Sequence, residues 1–137
     1  MKNLNSFLKR SEIQLQNIKC VVCEDITDER GKPVEWELKK LTAKEGNIAQ
    51  DEAVNLNIKT QDASFDQSLF REKVVAMSVV YPNLNNKELQ DAFGARTPED
   101  LLQSMLSMSE YMALEQKVNE LNGNVKILEE VKEEAKN

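Results

Sequence analysis

The residues best suited to metal or redox chemistry in this sequence are Cys20 and Cys23, which are separated by two residues. That spacing is typical of redox-active pairs and of half of a zinc site. A zinc site of this type needs four Cys or His ligands, but the chain has no other cysteine and no histidine. The pair also lies in a β-branched run, where residues three apart point to opposite faces of a strand. We therefore interpret both residues as structural cysteines and expect neither a metal nor a cofactor.

The rest of the composition argues against an enzyme. Without histidine, nucleophiles of the Ser-His-Asp and Cys-His types are excluded. The chain has only four glycines, and none of them forms a glycine-rich phosphate loop. Paired carboxylates occur at Asp25 and Asp28 and at Glu35 and Glu37, but the second pair alternates with apolar residues, as the exposed face of a strand does. We expect no catalytic residues.

The charge and hydropathy of the chain argue against nucleic acid and membranes as partners. Of the 137 residues, 31% are charged and 40% are hydrophobic, as in a globular domain, and the formal net charge is −6. This negative charge argues against binding to nucleic acid. The longest apolar run, residues 74–81, is too short for a membrane span of about 20 residues, and residues 1–10 contain no signal-peptide core. We expect a cytoplasmic protein that binds neither nucleic acid nor a membrane.

The N-terminal part of the sequence predicts an antiparallel β-hairpin. Residues 18–26 have strand composition, and residues 33–41 alternate so that Val34, Trp36 and Leu38 share one face. One side of the hairpin is therefore expected to be apolar and the other to contact solvent. Its free edges allow pairing with a third strand or with a second copy of the chain, so a homo-oligomer is one expected state.

The segment after the hairpin is predicted to begin with a helix. Thr42 starts a capping box, and the helix is expected to lie on the surface and to end near Glu52. Residues 54–60 alternate with period two. They either add a third strand to the hairpin or continue the helix into a loop, and residues 61–65 are predicted to be a linker.

The C-terminal half predicts a helical bundle. A helix from Gln67 to Tyr81, capped by Asp66 and ended by Pro82, is apolar all round its C-terminal half, as a central helix is. Three short helices follow, and a last helix with a narrow apolar stripe is predicted after Gly123. The capping sequences of the three short helices begin at Asn85, Thr97 and Ser107.

These patterns together predict an α+β fold that is mostly α. The fold is an N-terminal antiparallel β-hairpin of two or three strands, followed by a compact bundle of five to six short helices. We expect a single domain over residues 1–137, with the hairpin region and one helix at residues 17–60 and the helical bundle at residues 66–137.

The order and spacing of several short motifs resemble the XkdN-like family of phage tail assembly chaperones. The motifs are Gly31-Lys32-Pro33-Val34-Glu35-Trp36, Tyr81-Pro82 with Leu84, Glu88-Leu89-Gln90-Asp91, Phe93-Gly94, Leu101-Leu102, Glu110-Tyr111 and Leu121-Asn122-Gly123. The sequence departs from the family pattern at Met108-Ser109, where the family often has Pro-Gly, and residues 52–65 match it poorly. The cysteine pair is not part of the pattern.

The resemblance implies a non-catalytic function in phage or prophage tail assembly. A member of this family is expected to bind the tape measure protein, to keep it soluble and to help recruit tail tube subunits. It is expected to act in the cytoplasm of the bacterial host and to be absent from the mature virion. The alternative is another protein-binding role in virion assembly, as a tail completion factor or an adaptor.

The candidate partner-binding residues combine flexible methionines with aromatic side chains. They are Trp36, Tyr81, Met105, Met108, Tyr111 and Met112. Methionine suits surfaces that accept varied sequences, although it also fills irregular gaps in a core. Trp36 either covers the helical core or anchors a partner, and the terminal helix is the most plausible element to move over a binding groove.

Overall fold

Six helices and five strands are formed by residues 2–14 and 16–123, the part of the chain that this computed structural model describes. The helices are α1 (Asn5–Gln14), α2 (Ala43–Glu52), α3 (Gln67–Ser78), α4 (Lys87–Ala92), α5 (Pro98–Met105) and α6 (Met108–Asn122). The strands are β1 (Ile18–Val21), β2 (Glu35–Leu38), β3 (Val54–Asn57), β4 (Asp62–Phe65) and β5 (Val79–Tyr81). The predicted α+β class is confirmed, and the helix predicted after Gly123 lies outside the described residues.

The predicted hairpin is confirmed as β1 and β2, which belong to a three-stranded antiparallel sheet with the order β1-β2-β5. Cys20 lies opposite Trp36 in this pairing. Asp28 closes the turn, because its Oδ1 accepts the backbone N–H of Lys32 at 3.0 Å. Strand β1 ends at Val21, earlier than predicted, and the chain between β1 and the turn makes only an isolated bridge to the partner strand.

The third strand of this sheet comes from residues that the sequence pattern assigned to a helix. Helix α3 ends at Ser78, and Val79 opposes Leu38 at the edge of β2. The carbonyl of Ser78 accepts the N–H of Lys39 at 2.8 Å, which begins the pairing. The prediction that the helix continues to Tyr81 is therefore wrong. A Val-Val-Tyr sequence suits a strand better than a helix, and the open edge of β2 provides hydrogen-bond partners that a helical pattern cannot reveal.

Residues 54–65 form a separate hairpin. Strand β3 pairs with β4 rather than with β1 or β2. Of the two alternatives for residues 54–60, a strand is formed at Val54–Asn57, but it does not join the first hairpin. The predicted linker at residues 61–65 is wrong, because Asp62–Phe65 is a strand. The base of this hairpin is closed by a hydrogen bond of 2.9 Å from the Asp66 N–H to the Ala53 carbonyl. A second bond of 2.9 Å joins Asn55 Nδ2 to Asp66 Oδ2. The local turn and this base determine the pairing, which the period-two pattern of residues 54–60 alone does not specify.

Side-chain caps begin five of the helices. In each case the cap oxygen accepts a backbone N–H three residues later, which satisfies one of the unpaired donors of a helix start. The caps are Thr42, Asp66, Asn86, Thr97 and Ser107. The predicted starts are confirmed, except that the cap of α4 is Asn86 rather than Asn85. Helix α6 ends at Gly123, whose φ of +73° is accessible to glycine at little cost.

The core lies where α3 packs against α2, α5, α6 and β5, which confirms the central position predicted for this helix. Its fully buried side chains come from β2, α3, α5 and α6 and include Trp36, Leu38, Val75, Leu101, Leu102, Leu114 and Val118. A charged contact links three helices at its rim. Lys73 Nζ of α3 lies 3.3 Å from Glu52 Oε2 of α2 and 3.4 Å from Glu99 Oε1 of α5.

A polar contact joins the end of α6 to the sheet. Asn122 Oδ1 accepts the backbone N–H of Leu41 at 2.8 Å, and Asn122 Nδ2 donates to the Val118 carbonyl at 3.0 Å and to Ser78 Oγ at 3.4 Å. Ser78 is completely buried and donates its own hydroxyl to the Val74 carbonyl at 2.8 Å. Asn122 therefore satisfies polar groups of the β2–α2 connection and of α3 that have little access to water.

We expect Asn122→Ala to lower the free energy of unfolding by about 1–3 kcal/mol, because it removes the acceptor for the Leu41 N–H and the donor to Ser78. Urea unfolding followed by circular dichroism measures this change. Gln116→Ala on the exposed face of the same helix is the control and should change stability by less than about 0.5 kcal/mol. Equal losses in both variants would contradict a specific role for Asn122.

Candidate functional site

The first two turns of α6 carry the most exposed methionines of the described chain. Met108 is 81% exposed and Met112 is 61% exposed. These residues are four apart on a helix and therefore lie on the same side of it, one turn from each other. Met105, the last residue of α5, and Tyr111 are half-buried next to them in sequence and pack against the core. We call Met108 and Met112, with Met105 and Tyr111 at their border, the methionine face.

Tyr111 anchors the methionine face to the core. Burial raises the pKa of its hydroxyl to about 12, and the negative charges of Glu115 and Glu72 add to this, while Gln103 and Arg71 partly oppose it. The hydroxyl is therefore neutral at physiological pH. Arg71 and Glu72 belong to α3 and Gln103 belongs to α5, so Tyr111 lies where the start of α6 meets both helices.

The other two predicted binding residues lie elsewhere. Trp36 is only 1% exposed and belongs to the core, so its side chain is not presented to a partner in this structure. Tyr81 is exposed on β5, three residues beyond the end of α3 that Asn122 contacts. Because Tyr111 and Asn122 are separated by about 16 Å along α6, Tyr81 lies toward the opposite end of that helix from the methionine face. The structure thus brings four of the six predicted residues together and separates Trp36 and Tyr81 from them.

Cys23 lies in a small cluster of acidic side chains at the start of α6. Cys23 is buried beside Glu110, and the possible ligand atoms of Cys23, Asp25 and Glu110 lie within 4.8 Å of one another. Burial, and then the charge of Glu110, raises the pKa of the Cys23 thiol to about 12. Glu110 is already engaged at the start of α6, where its carboxylate accepts the Ser107 N–H at 2.9 Å. A thiol with a pKa raised in this way is protonated at neutral pH and is a poor nucleophile in that state.

A cleft of about 650 Å³ lies at the end of the three-stranded sheet where β1 and β5 begin and β2 ends. One wall comes from the end of α3, from β5 and from the β2–α2 connection, and the α1–β1 region forms the other. The wall combines apolar side chains with two lysines: Lys39, Lys40, Leu41, Met77, Val79 and Val80. We call this the β5 cleft. The sequence pattern did not reveal it, because it depends on residues 79–81 being a strand.

Two further exposed apolar surfaces lie outside the methionine face. Leu4, just before α1, and Phe7 and Leu8 on α1 follow a helical spacing in the sequence, and all three are exposed. Leu56 and Ile58 are exposed on the β3–β4 hairpin, where Ile58 is 90% accessible.

Among the described residues, no helix has the length and apolar character required to cross a membrane.

The small antiparallel sheet and the helices around α3 make this an α+β protein that is mostly α. Residues 4–136 match the family described as phage XkdN-like tail assembly chaperone proteins, and the chain therefore belongs to that family. The resemblance identified from the short motifs is confirmed.

Two similar proteins come from Bacillus subtilis strain 168. The phage-like element PBSX protein XkdN is 26% identical over 139 residues, covering 98% of this chain and 94% of the relative. The protein YqbN is 25% identical over 139 residues, covering 98% and 93%. A crystal structure of YqbN has the same fold, with a TM-score of 0.74 at 22% identity over 90% of this chain and 98% of that one.

The protonated state of Cys23 predicts how its reactivity depends on pH. In a Cys20→Ser variant, we expect the rate of modification by a disulfide reagent to rise tenfold per pH unit from pH 8 to beyond pH 10, because the thiolate remains a minor species up to a pKa of about 12. In urea the rate should level off above about pH 9, near the ordinary thiol pKa of about 8.5. A plateau near pH 7 in the folded protein would contradict the assignment.

Proposed function

We propose that this tail assembly chaperone binds the tape measure protein, keeps it soluble and helps to recruit tail tube subunits. Family membership supports a role in tail assembly. The exposure of Met108 and Met112 is the observation that carries the choice of binding surface. In this proposal the protein acts in the bacterial cytoplasm and leaves the assembly before the virion is complete.

The tape measure protein, the proposed client, is a partner that an apolar and adaptable surface could bind. A long helical protein exposes apolar stripes until the tail tube encloses it, and such stripes associate with each other. A methionine side chain is flexible and polarisable, so one face can accept many local sequences along such a client. The methionine face would cover a short stretch of the client's apolar stripe, in the manner of a helix laid against a groove.

The size of this surface implies weak binding by each copy. Burial of an exposed methionine contributes about 1.5–3 kcal/mol, and ordering its side chain costs about 0.5–1.5 kcal/mol. The two exposed methionines therefore contribute only a few kcal/mol. Weak binding by each copy permits displacement by tube subunits, and many copies on one long client still hold it soluble through avidity. The net charge of −6 favours solubility of such a coated complex.

Replacement of both exposed methionines by aspartate tests the proposal. We expect Met108→Asp with Met112→Asp to lower the soluble fraction of a co-expressed tape measure protein several-fold, because charges on the methionine face oppose burial against an apolar stripe. The soluble fraction is measured by centrifugation and quantitative immunoblotting. The variant should fold normally, since both side chains are exposed, and thermal unfolding checks this.

Two controls accompany this experiment. Met108→Leu with Met112→Leu keeps the face apolar and should retain the activity. Lys117→Glu makes the same change of net charge as the double aspartate variant, but on the exposed side of α6 opposite Met108, and should also retain the activity. A soluble client with the double aspartate variant would exclude this surface. Capture of tube or head proteins without tape measure protein would instead favour a tail completion or adaptor role.

A further inference from the structure

We propose that helix α1 of one copy of this chain binds the β3–β4 hairpin of a second copy. The contact joins the apolar side of the helix, formed by Leu4, Phe7 and Leu8, to the apolar side of the hairpin. We call these three residues the α1 face. Neither surface includes the methionine face, and the inference does not depend on the proposed client.

The α1 face is not covered by any described part of its own chain. Every residue from 2 to 13 is exposed, and the side chain of Phe7 is 75% accessible. Helix α1 has only 10 residues. A helix shorter than about 12–15 residues is marginal in water and owes its stability to packing of an apolar side. A partner that covers the α1 face would supply this packing.

The β3–β4 hairpin also presents an apolar side to solvent. Its strands pair Val54 with Phe65 and Leu56 with Ala63, which places these four side chains on one face. We call them the hairpin face. All residues from 54 to 65 are exposed, and the Phe65 ring contacts Phe70 of α3 at a centroid distance of 5.7 Å. A two-stranded hairpin is marginally stable by itself, and a helix packed on its apolar side stabilises it.

The charges around the α1 face are basic in an acidic chain. Residues 2–13 contain three basic residues and one acidic residue, whereas the whole chain has a net charge of −6. At about 100° per residue, Lys9 and Arg10 flank the α1 face on its two sides. Both are exposed, and neither belongs to an ion pair among the described residues.

The hairpin region has the opposite charge. Residues 51–66 contain four acidic residues and one basic residue. Glu52 pairs with Lys73 at 3.3 Å and Asp66 caps α3, while Asp51 and Asp62 are exposed. The long basic side chains of α1 can reach these two carboxylates when the α1 face lies on the hairpin face. Opposite charges favour this pairing over contacts between two copies of α1 or between two hairpins.

The two complementary surfaces do not meet within one chain. Ser11 of α1 lines the β5 cleft together with Thr42 and Glu45, at the start of α2. The hairpin follows Glu52, at the end of that helix, and the 10 residues of α2 span about 15 Å. A second copy of the chain therefore provides the matching surface. Because the two surfaces differ, the contact is either reciprocal in a dimer or repeated from copy to copy.

Sedimentation velocity of the full-length chain over a range of concentrations tests this contact. The surfaces are smaller than a standard interface of roughly 1,600 Å², so we expect a dissociation constant on the order of 10–100 µM. Phe7→Asp with Leu8→Asp should raise it more than about tenfold, because charges enter an apolar contact, and Leu56→Asp with Ile58→Asp should do the same. All four side chains are exposed, and thermal unfolding of dilute protein checks that the core is intact.

A mixture of the two variants identifies which surfaces meet. The α1 variant retains the hairpin face, and the hairpin variant retains the α1 face. Each variant alone should be monomeric, and an equimolar mixture should form a 1:1 complex with the affinity of the unmodified chain. A contact between two α1 faces or between two hairpin faces cannot give this result.

Matched variants of the same two elements control for a general effect of added charge. Ile13→Asp lies on α1 away from the α1 face, and Ser64→Asp lies on the polar side of the hairpin. Both residues are exposed, and both variants should associate as the unmodified chain does.

Charge reversal tests the electrostatic part of the contact. Lys9→Glu with Arg10→Glu should raise the dissociation constant at least about threefold, because it removes the attraction to the acidic hairpin. Arg30→Glu with Lys32→Glu makes the same change of net charge in the exposed β1–β2 turn and should leave the dissociation constant unchanged. Equal weakening by both pairs would contradict charge complementarity between α1 and the hairpin.

Three results would overturn the proposal. The first is a chain that stays monomeric up to about 1 mM, tenfold above the weakest expected dissociation constant. In that case, loss of client binding or of binding to anionic lipid vesicles in the Phe7→Asp, Leu8→Asp variant would identify a different occupant. The second is association of either double variant by itself, which would indicate a contact through its remaining surface. The third is a mixture of the two variants that forms no complex.

Discussion

The buried hydroxyl of Ser78 is the contact on which the arrangement of the other elements depends. Ser78 is the last residue of α3, its carbonyl begins the pairing with β2, and its side chain joins Val74 and Asn122. Helix, sheet and the end of α6 therefore meet at one fully buried polar residue. Polar groups in such a place must be paired, because an unpaired buried donor or acceptor costs about 1–3 kcal/mol. This requirement selects one arrangement of α3, β2 and α6 from the many that apolar packing alone would allow.

Local signals in the sequence predicted most of the individual elements. Thr42, Asp66, Thr97 and Ser107 each cap a helix with their own side chain, and such contacts span only three residues. The alternation around Trp36 also correctly placed the apolar face of β2. What could not be predicted depends on partners distant in sequence. Val79–Tyr81 is a strand because β2 has an open edge, and residues 54–65 form their own hairpin because their ends meet at Ala53 and Asp66.

In the candidate site, too, only contacts between residues close in sequence could be predicted. Met105, Met108, Tyr111 and Met112 are close in sequence at one helix junction, so their proximity could be predicted from order alone. Trp36 was ambiguous because an apolar strand face is equally suited to a core and to a partner, and burial decides between them. The β5 cleft could not be anticipated, because its walls come from three separate parts of the chain.

The hydrogen bond from Asp66 to the Ala53 carbonyl has a consequence for sequence divergence. The bond joins the two ends of the β3–β4 hairpin, so α2 and α3 remain connected at a fixed geometry whatever lies between them. The side chains of β3 and β4 are exposed, and no residue of either strand belongs to the buried core. Insertions and deletions between these two positions leave the central helix in place. We therefore expect changes in the length of this hairpin to disturb the fold less than changes within the sheet or the bundle.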